Sequence, residues 1–367
     1  MKSRREFVKK TALASAITAS LPSFGFNILK GKAPDNQLVG HGEYQYKVIR
    51  DWAKMSLAHN PILNCHEMVM DSKGHLIMIG DHTDNNIFVF DKSGKLLDSW
   101  GTRYPGGHGL TLSKEGEEDF LFIVDCGWYQ DKFGKWNKQA GVVSKTTLDG
   151  RLLFNLPDPR ITGIYKEDEP FMPTETAVGP NGDIYVADGY GSDYILQYNS
   201  KGEYIRHFGG RNNKNKDHNL ANAHGVAIDY RDKSNPVLIC TSRSENCFKY
   251  FTLDGKYIKT INMPGLFVCR PVMDGANLYA GVCWSKTREE NKRQADTGFL
   301  TIMEGDKVVS NPGGTQPEYV NEELQQMYQA EDKLFNHGHD VCVDGDKNLY
   351  LCQWNAHHTP PIKLERV

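Results

Sequence analysis

Thirteen histidines occur in the 367-residue chain, and three of them sit at equivalent places in a repeated pattern. His108 opens "HGLTL", His224 opens "HGVAI" and His339 opens "HDVCV". Each precedes an alternating apolar stretch and a turn rich in Asp, Gly and Asn. Neutral imidazoles that converge on one point suit a zinc-like divalent transition metal, and three of them leave a fourth position for water or substrate. Two further side chains follow the second apolar stretch of their units: Tyr190 in "ADGYG" and Arg243 in "TSRSEN". A phenol beside a metal moves protons when its acidity is raised. A guanidinium clamps a carboxylate or stabilises an oxyanion. His337, two residues before His339, is expected to support the last ligand from behind or to act as an acid/base group.

Positioning these residues is the work of the repeat. Six segments share one template of apolar alternation, polar turn and second apolar strand, beginning at His66, His108, Thr174, His224, Arg270 and His339. Further strands follow in most copies, as in "NIFVFDKSGKLLDSWG" and "YILQYNSKGEYIRHFGG". Each unit therefore reads as a four-stranded antiparallel meander, which cannot bury both faces alone and must stack on its neighbours. Six radial sheets make an all-β six-bladed β-propeller over residues 40–367. The last unit supplies three strands, "DVCVD", "NLYLCQW" and "IKLERV". The spare strand "YQYKVIRDW" near residues 44–52 is expected to complete it and close the ring.

In such a ring the start of each inner strand and the end of each second strand meet on one face. His108, His224 and His339 fall on alternate blades, roughly 120° apart about the axis. The other residues on that face, His66, Glu175 beside Thr174, Arg270, and Asp81 with His82 in "GDH", are expected to contact substrate. The helix formers of Asn321 to Phe335, with Asn321 as N-cap, predict a short surface helix inside the last insertion.

Bulk properties exclude several classes. A net charge of −3 leaves no basic field for nucleic acid. Beyond residue 30 no stretch is apolar and long enough to cross a bilayer. Residues 1–30, with Arg4 and Arg5 before a short apolar run, read as a twin-arginine-type export signal, implying a periplasmic or extracellular destination. The eight cysteines show no CxxC pair. Buried free thiols are expected for most, with Cys240 and Cys247 the nearest pair for a disulfide in an oxidising compartment. The chain reads as a monomer.

The pattern resembles the peptidyl-α-hydroxyglycine α-amidating lyases, six-bladed propellers of the NHL-repeat type. The zinc-binding turns of that family are matched by "GGHGL", "NAHGV" and "HGHDV", its "DGY" turn by Asp188-Gly189-Tyr190, and one arginine loop loosely by "SRSEN". The resemblance implies zinc on His108, His224 and His339. It also implies a structural calcium held by the carbonyls of Met68 and Leu110 and by Asp340. This chain departs from the family in three places. "GDH" stands where the family has a second arginine, and His66 and His337 are additional imidazoles. The implied activity is a metal-dependent lyase or hydrolase acting on an oxygen-rich small substrate, either a hydroxyglycine-like peptide end or a carbohydrate. The alternative is a non-catalytic propeller that binds a protein or carbohydrate partner, with "GWYQDKFGKW" as its contact surface.

Overall fold

The computed structural model describes residues 37–166 and 168–367; the export-signal reading of residues 1–30 lies outside them. The described chain is a six-bladed β-propeller, 49% strand and 2% helix. The six inner strands are Cys65–Met70, Gly107–Glu115, Glu175–Val178, Val226–Asp229, Leu266–Asp274 and Gly338–Val343. Blades 1 to 5 each order four antiparallel strands outward from these. The hairpin turns follow from sequence. In blade 1 the Asp71 carboxylate caps its turn by accepting from the backbone N–H groups of Lys73 (2.9 Å) and His75 (2.7 Å).

Closure occurs as the strand count requires. Tyr44–Ile49 pairs antiparallel with Ile362–Arg366, and Val48 lies opposite Leu364. Leu38–His41 adds a fifth, outermost strand to blade 6. Joining Tyr44–Ile49 to Ile362–Arg366 in one sheet covers the edge that a three-stranded last blade would expose.

Apolar side chains pack between blades. Phe88, Phe90 and Met78 of blade 1 meet Tyr350 and Cys352 of blade 6 around Trp52. Phe122 and Val124 of blade 2 meet Val186 and Leu196 of blade 3. Ala177 and Tyr185 of blade 3 meet Val226 and Leu238 of blade 4. A buried phenylalanine contributes about 1.5–3 kcal/mol, and most of that is realised only when the next blade is present.

Two expectations are corrected. Asn321 to Phe335 forms no helix. Tyr319–Val320 and Glu323–Leu324 form a small hairpin whose central residues, Asn321 (φ +50°) and Glu322 (φ +67°), are both left-handed. The chain beyond then runs as a strap. Met327 N–H donates to Pro264 O, Ala330 N–H donates to Gly313 O, and Met327 and Phe335 are buried. These tertiary contacts outweigh helix propensity. All eight cysteines are buried free thiols, so Cys240 and Cys247 are not bridged; in the ladder Cys240 faces Lys249 and Cys247 faces Ser242.

Candidate metal centre

The first ring of residues on the axis comes from one position in every blade. Aligned by the turn aspartates Asp71, Asp229, Asp274 and Asp344, the residues five places upstream are His66, His224, Cys269 and His339. His108 and Thr174 supply blades 2 and 3. Three of the histidines sit on β-bulges. Register slips between Cys65 and Glu67, between Gly107 and Gly109, and between Gly338 and Asp340. A bulge adds an unpaired residue and re-aims its side chain, here toward the axis.

The imidazoles converge. His108, His224 and His339 have ring centroids 4.8–4.9 Å apart pairwise. His66 joins them, 4.8 Å from both His108 and His339. The Nδ1 atoms of His108 and His339 lie 2.8 Å from Thr174 O and 2.9 Å from His66 O. Carbonyls only accept, so these nitrogens carry the protons and each Nε2 keeps a lone pair. His66 Nε2 lies 3.1 Å from Asp81 Oδ2. Three ring nitrogens, His66 Nδ1, His224 Nδ1 and His339 Nε2, are buried and have no partner among the described residues. Such orphaned groups are costly unless something binds them. Burial, the largest effect, pushes His108, His224 and His339 well below the usual histidine value, which keeps them in the neutral form that binds metals. The donor set and its orphaned nitrogens fit a divalent transition metal.

The Tyr190 hydroxyl lies 3.1 Å from His108 Nε2 and 3.3 Å from His224 Nε2. Burial pushes its phenol up, against the pull of Arg243, which keeps the hydroxyl neutral. Arg243 is buried, donates from Nε to Asn222 Oδ1 and from Nη1 to Cys269 Sγ, and stacks 4.9 Å over Trp284. A cavity of about 340 Å³ opens above His66 and His108. Asp81, Tyr190, Trp128, Trp136 and Trp354 line it. The aromatic insertion therefore forms a wall of this cavity: Trp128 packs on Trp136 at 5.5 Å and on Tyr190 at 6.2 Å. A larger opening of about 430 Å³ is lined by strand residues farther along, including Leu112, Val178 and Ile228, and reaches no histidine.

Other expected site residues lie elsewhere. Glu175 and Arg270 belong to a second ring, one residue deeper, with Glu67 and Asp340. Blades 2 and 4 have Gly109 and Gly225 at this depth. A Cβ on Gly109 would stand 2.6 Å from Thr174 O, and one on Gly225 2.6 Å from the Arg270 Cα. The Arg270 guanidinium donates to Met68 O (3.1 Å), Leu110 O (3.0 Å), Asp340 Oδ1 (3.0 Å) and Asp340 Oδ2 (2.7 Å). These are the oxygens expected to hold calcium. An arginine already supplies the cation there, so the residues present do not fit that ion, and Arg270 does not line the cavity above His66 and His108. Burial raises the carboxyls of Glu67, Glu175 and Asp340, with the neighbouring Glu175 charge adding to the rise at Glu67.

His337, expected as a supporting or acid/base group, lies outside the cavity lining and is engaged by its neighbours. Its Nε2 accepts from Asp296 N–H (3.0 Å), its Nδ1 lies 3.3 Å from Asn355 O, and Trp284 and Trp354 flank its ring. His82 sits at a strand end, accepts from Asp84 N–H and lies outside the cavity lining. Sequence reading missed Cys269, although counting five residues back from Asp274 would have found it. Cys269 with His224 and His339, and His66 with His108 and His339, each bring three ligand atoms within 4.8 Å of one another.

No family model matches the chain. It is 25% identical over 280 residues to peptidyl-α-hydroxyglycine α-amidating lyase 1 of Drosophila melanogaster, covering 72% of this chain and 46% of that one. It is 29% identical over 136 residues to lyase 2 of the same organism, covering 36% and 29%. The chain thus spans less than half the length of these curated relatives. Among solved structures, a streptogramin B lyase superposes with a TM-score of 0.52 at 14% identity, over 91% of this chain and 99% of that one. A gluconolactonase from Xanthomonas campestris superposes with a TM-score of 0.53 at 9% identity, over 91% and 98%. These two show the propeller fold alone. The sequence relationship that emerges is a weak homology to the peptidyl-α-hydroxyglycine α-amidating lyases.

Proposed function

We propose that this propeller is a metal-dependent lyase or hydrolase acting on an oxygen-rich small substrate at the axial histidines. The observation that carries the reading is the group of three buried, partnerless imidazole nitrogens beside the Tyr190 hydroxyl, under a tryptophan-walled cavity. His108, His224 and His339 would hold the ion, which when bound supplies Lewis-acid polarisation of a substrate oxygen. Tyr190, neutral and fixed between two imidazoles, donates its proton toward an oxygen that gains charge. Arg243 stands beside that group and favours an anionic part of the substrate. The tryptophans exclude water and present flat apolar faces, which suits a peptide end or a sugar ring. Distant relatives named as lyases favour elimination over hydrolysis. The arginine-pair motif at the amino terminus supports export to the periplasm or beyond.

The test is metal content beside turnover. Protein produced in metal-replete medium should hold about one transition-metal ion per chain. His108→Ala, His224→Ala and His339→Ala should each lower occupancy and abolish turnover of hydroxyglycine-ended peptides or carbohydrates. A folded wild type that binds no divalent ion overturns the reading.

A further inference from the structure

We infer that His66, held by Asp81, is a fourth protein ligand, so that the axis carries a four-imidazole centre. This rests on the metal reading above and changes the chemistry it allows. His66 lies on the same kind of bulge as His108 and His339, and its ring stands 4.8 Å from both of theirs. The Asp81 carboxylate is itself fixed, accepting from Asn64 N–H (2.9 Å) and Asn64 Nδ2 (2.8 Å). It therefore draws the His66 proton onto Nε2 and leaves the lone pair on Nδ1. That Nδ1 is buried and without a partner among the described residues. A carboxylate behind one ring nitrogen and a bare lone pair on the other is how proteins orient a metal-binding histidine.

Four neutral nitrogen donors complete a tetrahedral zinc and leave no place for substrate. The arrangement instead suits a first-row ion that takes five or six ligands, such as iron(II), cobalt(II) or copper(II). Asp81 then acts through His66 as a positioning residue.

The test uses the full chain stripped of metal and reloaded with cobalt(II). X-ray absorption should count four imidazoles in the wild type and three in His66→Ala. Competition with a chromophoric chelator should show Asp81→Asn weakening cobalt binding about 10–100-fold, and His66→Ala weakening it at least as much. Three imidazoles in the wild type, a sulfur from Cys269 in the shell, or unchanged affinity in both variants overturns the inference. The metal reading survives that outcome if His108→Ala, His224→Ala and His339→Ala still weaken binding. If the wild type takes up no cobalt, the metal reading itself fails. Should His66→Ala not fold, the wild-type count and Asp81→Asn decide.

Discussion

Arg270 and Asp340 form a two-pronged ion pair on the propeller axis, Nη2 to Oδ2 at 2.7 Å and Nε to Oδ1 at 3.0 Å. The remaining donors of the guanidinium satisfy one carbonyl from blade 1 and one from blade 2. Three blades are tied to a fourth by one side chain. Added calcium should therefore leave the wild-type melting temperature unmoved. Arg270→Ala strands three buried carboxyls and should cost about 3–5 kcal/mol. It also frees a cluster of hard oxygens, so its stability should rise with calcium. Chemical denaturation with and without calcium checks both statements; a calcium-stabilised wild type contradicts them.

Tyr190→Phe removes one hydroxyl and no metal donor. Metal content should stay at the wild-type level, while turnover falls by about 10²–10⁴-fold if the phenol carries the proton. Metal analysis and steady-state kinetics on the same preparation separate this outcome from loss of the centre.

Acid should release the metal late. The folded imidazoles of His108, His224 and His339 lie well below 6.5, because burial disfavours their charged form. Protons therefore compete for them only at pH values below the ordinary histidine range. Affinity should change by less than about tenfold between pH 8 and 6, whereas unshifted imidazoles would each begin to take up a proton in that window. The same shift has a stability consequence for the metal-free chain. Below pH 6.5 the unfolded state binds more protons than the folded one, so stability is present above pH 6.5 and declines as pH falls. Chelator competition across pH, and melting of the metal-free chain, read the two effects.

Ring closure depends on Tyr44–Ile49. Deleting residues 37–49 removes the buried Tyr46 and Val48 and bares the Ile362–Arg366 edge. Losing the two buried side chains alone should cost about 3–6 kcal/mol, and the open edge should promote association. Size-exclusion chromatography with a denaturation series measures both.

Much of this was legible in the residues. The six-fold repeat follows from strand alternation and turn chemistry, which are local, and the missing last strand is a matter of counting. The places of His108, His224 and His339 follow from repeat position alone, because equivalent positions in a ring must face one another. His66 and Asp81 stood out as departures from the family pattern, yet their pairing required two strand ends to be brought together.

The rest was decided in three dimensions. Residues 321–335 carry helical propensity but spend their backbone hydrogen bonds on Pro264 and Gly313, partners remote in sequence. Arg270 reads as a blade-opening residue, whereas a slip near Val268 places Cys269 level with the histidines and Arg270 one step deeper. His337, two residues from a candidate ligand, is taken up by Asp296 and Asn355. Sequence determined the number of blades and which side chains recur in them, since those depend on spacing along one strand. Tertiary structure decided which of them share a lone pair, a proton or a cation, since bulges and inter-blade packing set depth along the axis to within one residue, and one residue separates the imidazole ring from the carboxylate ring below it.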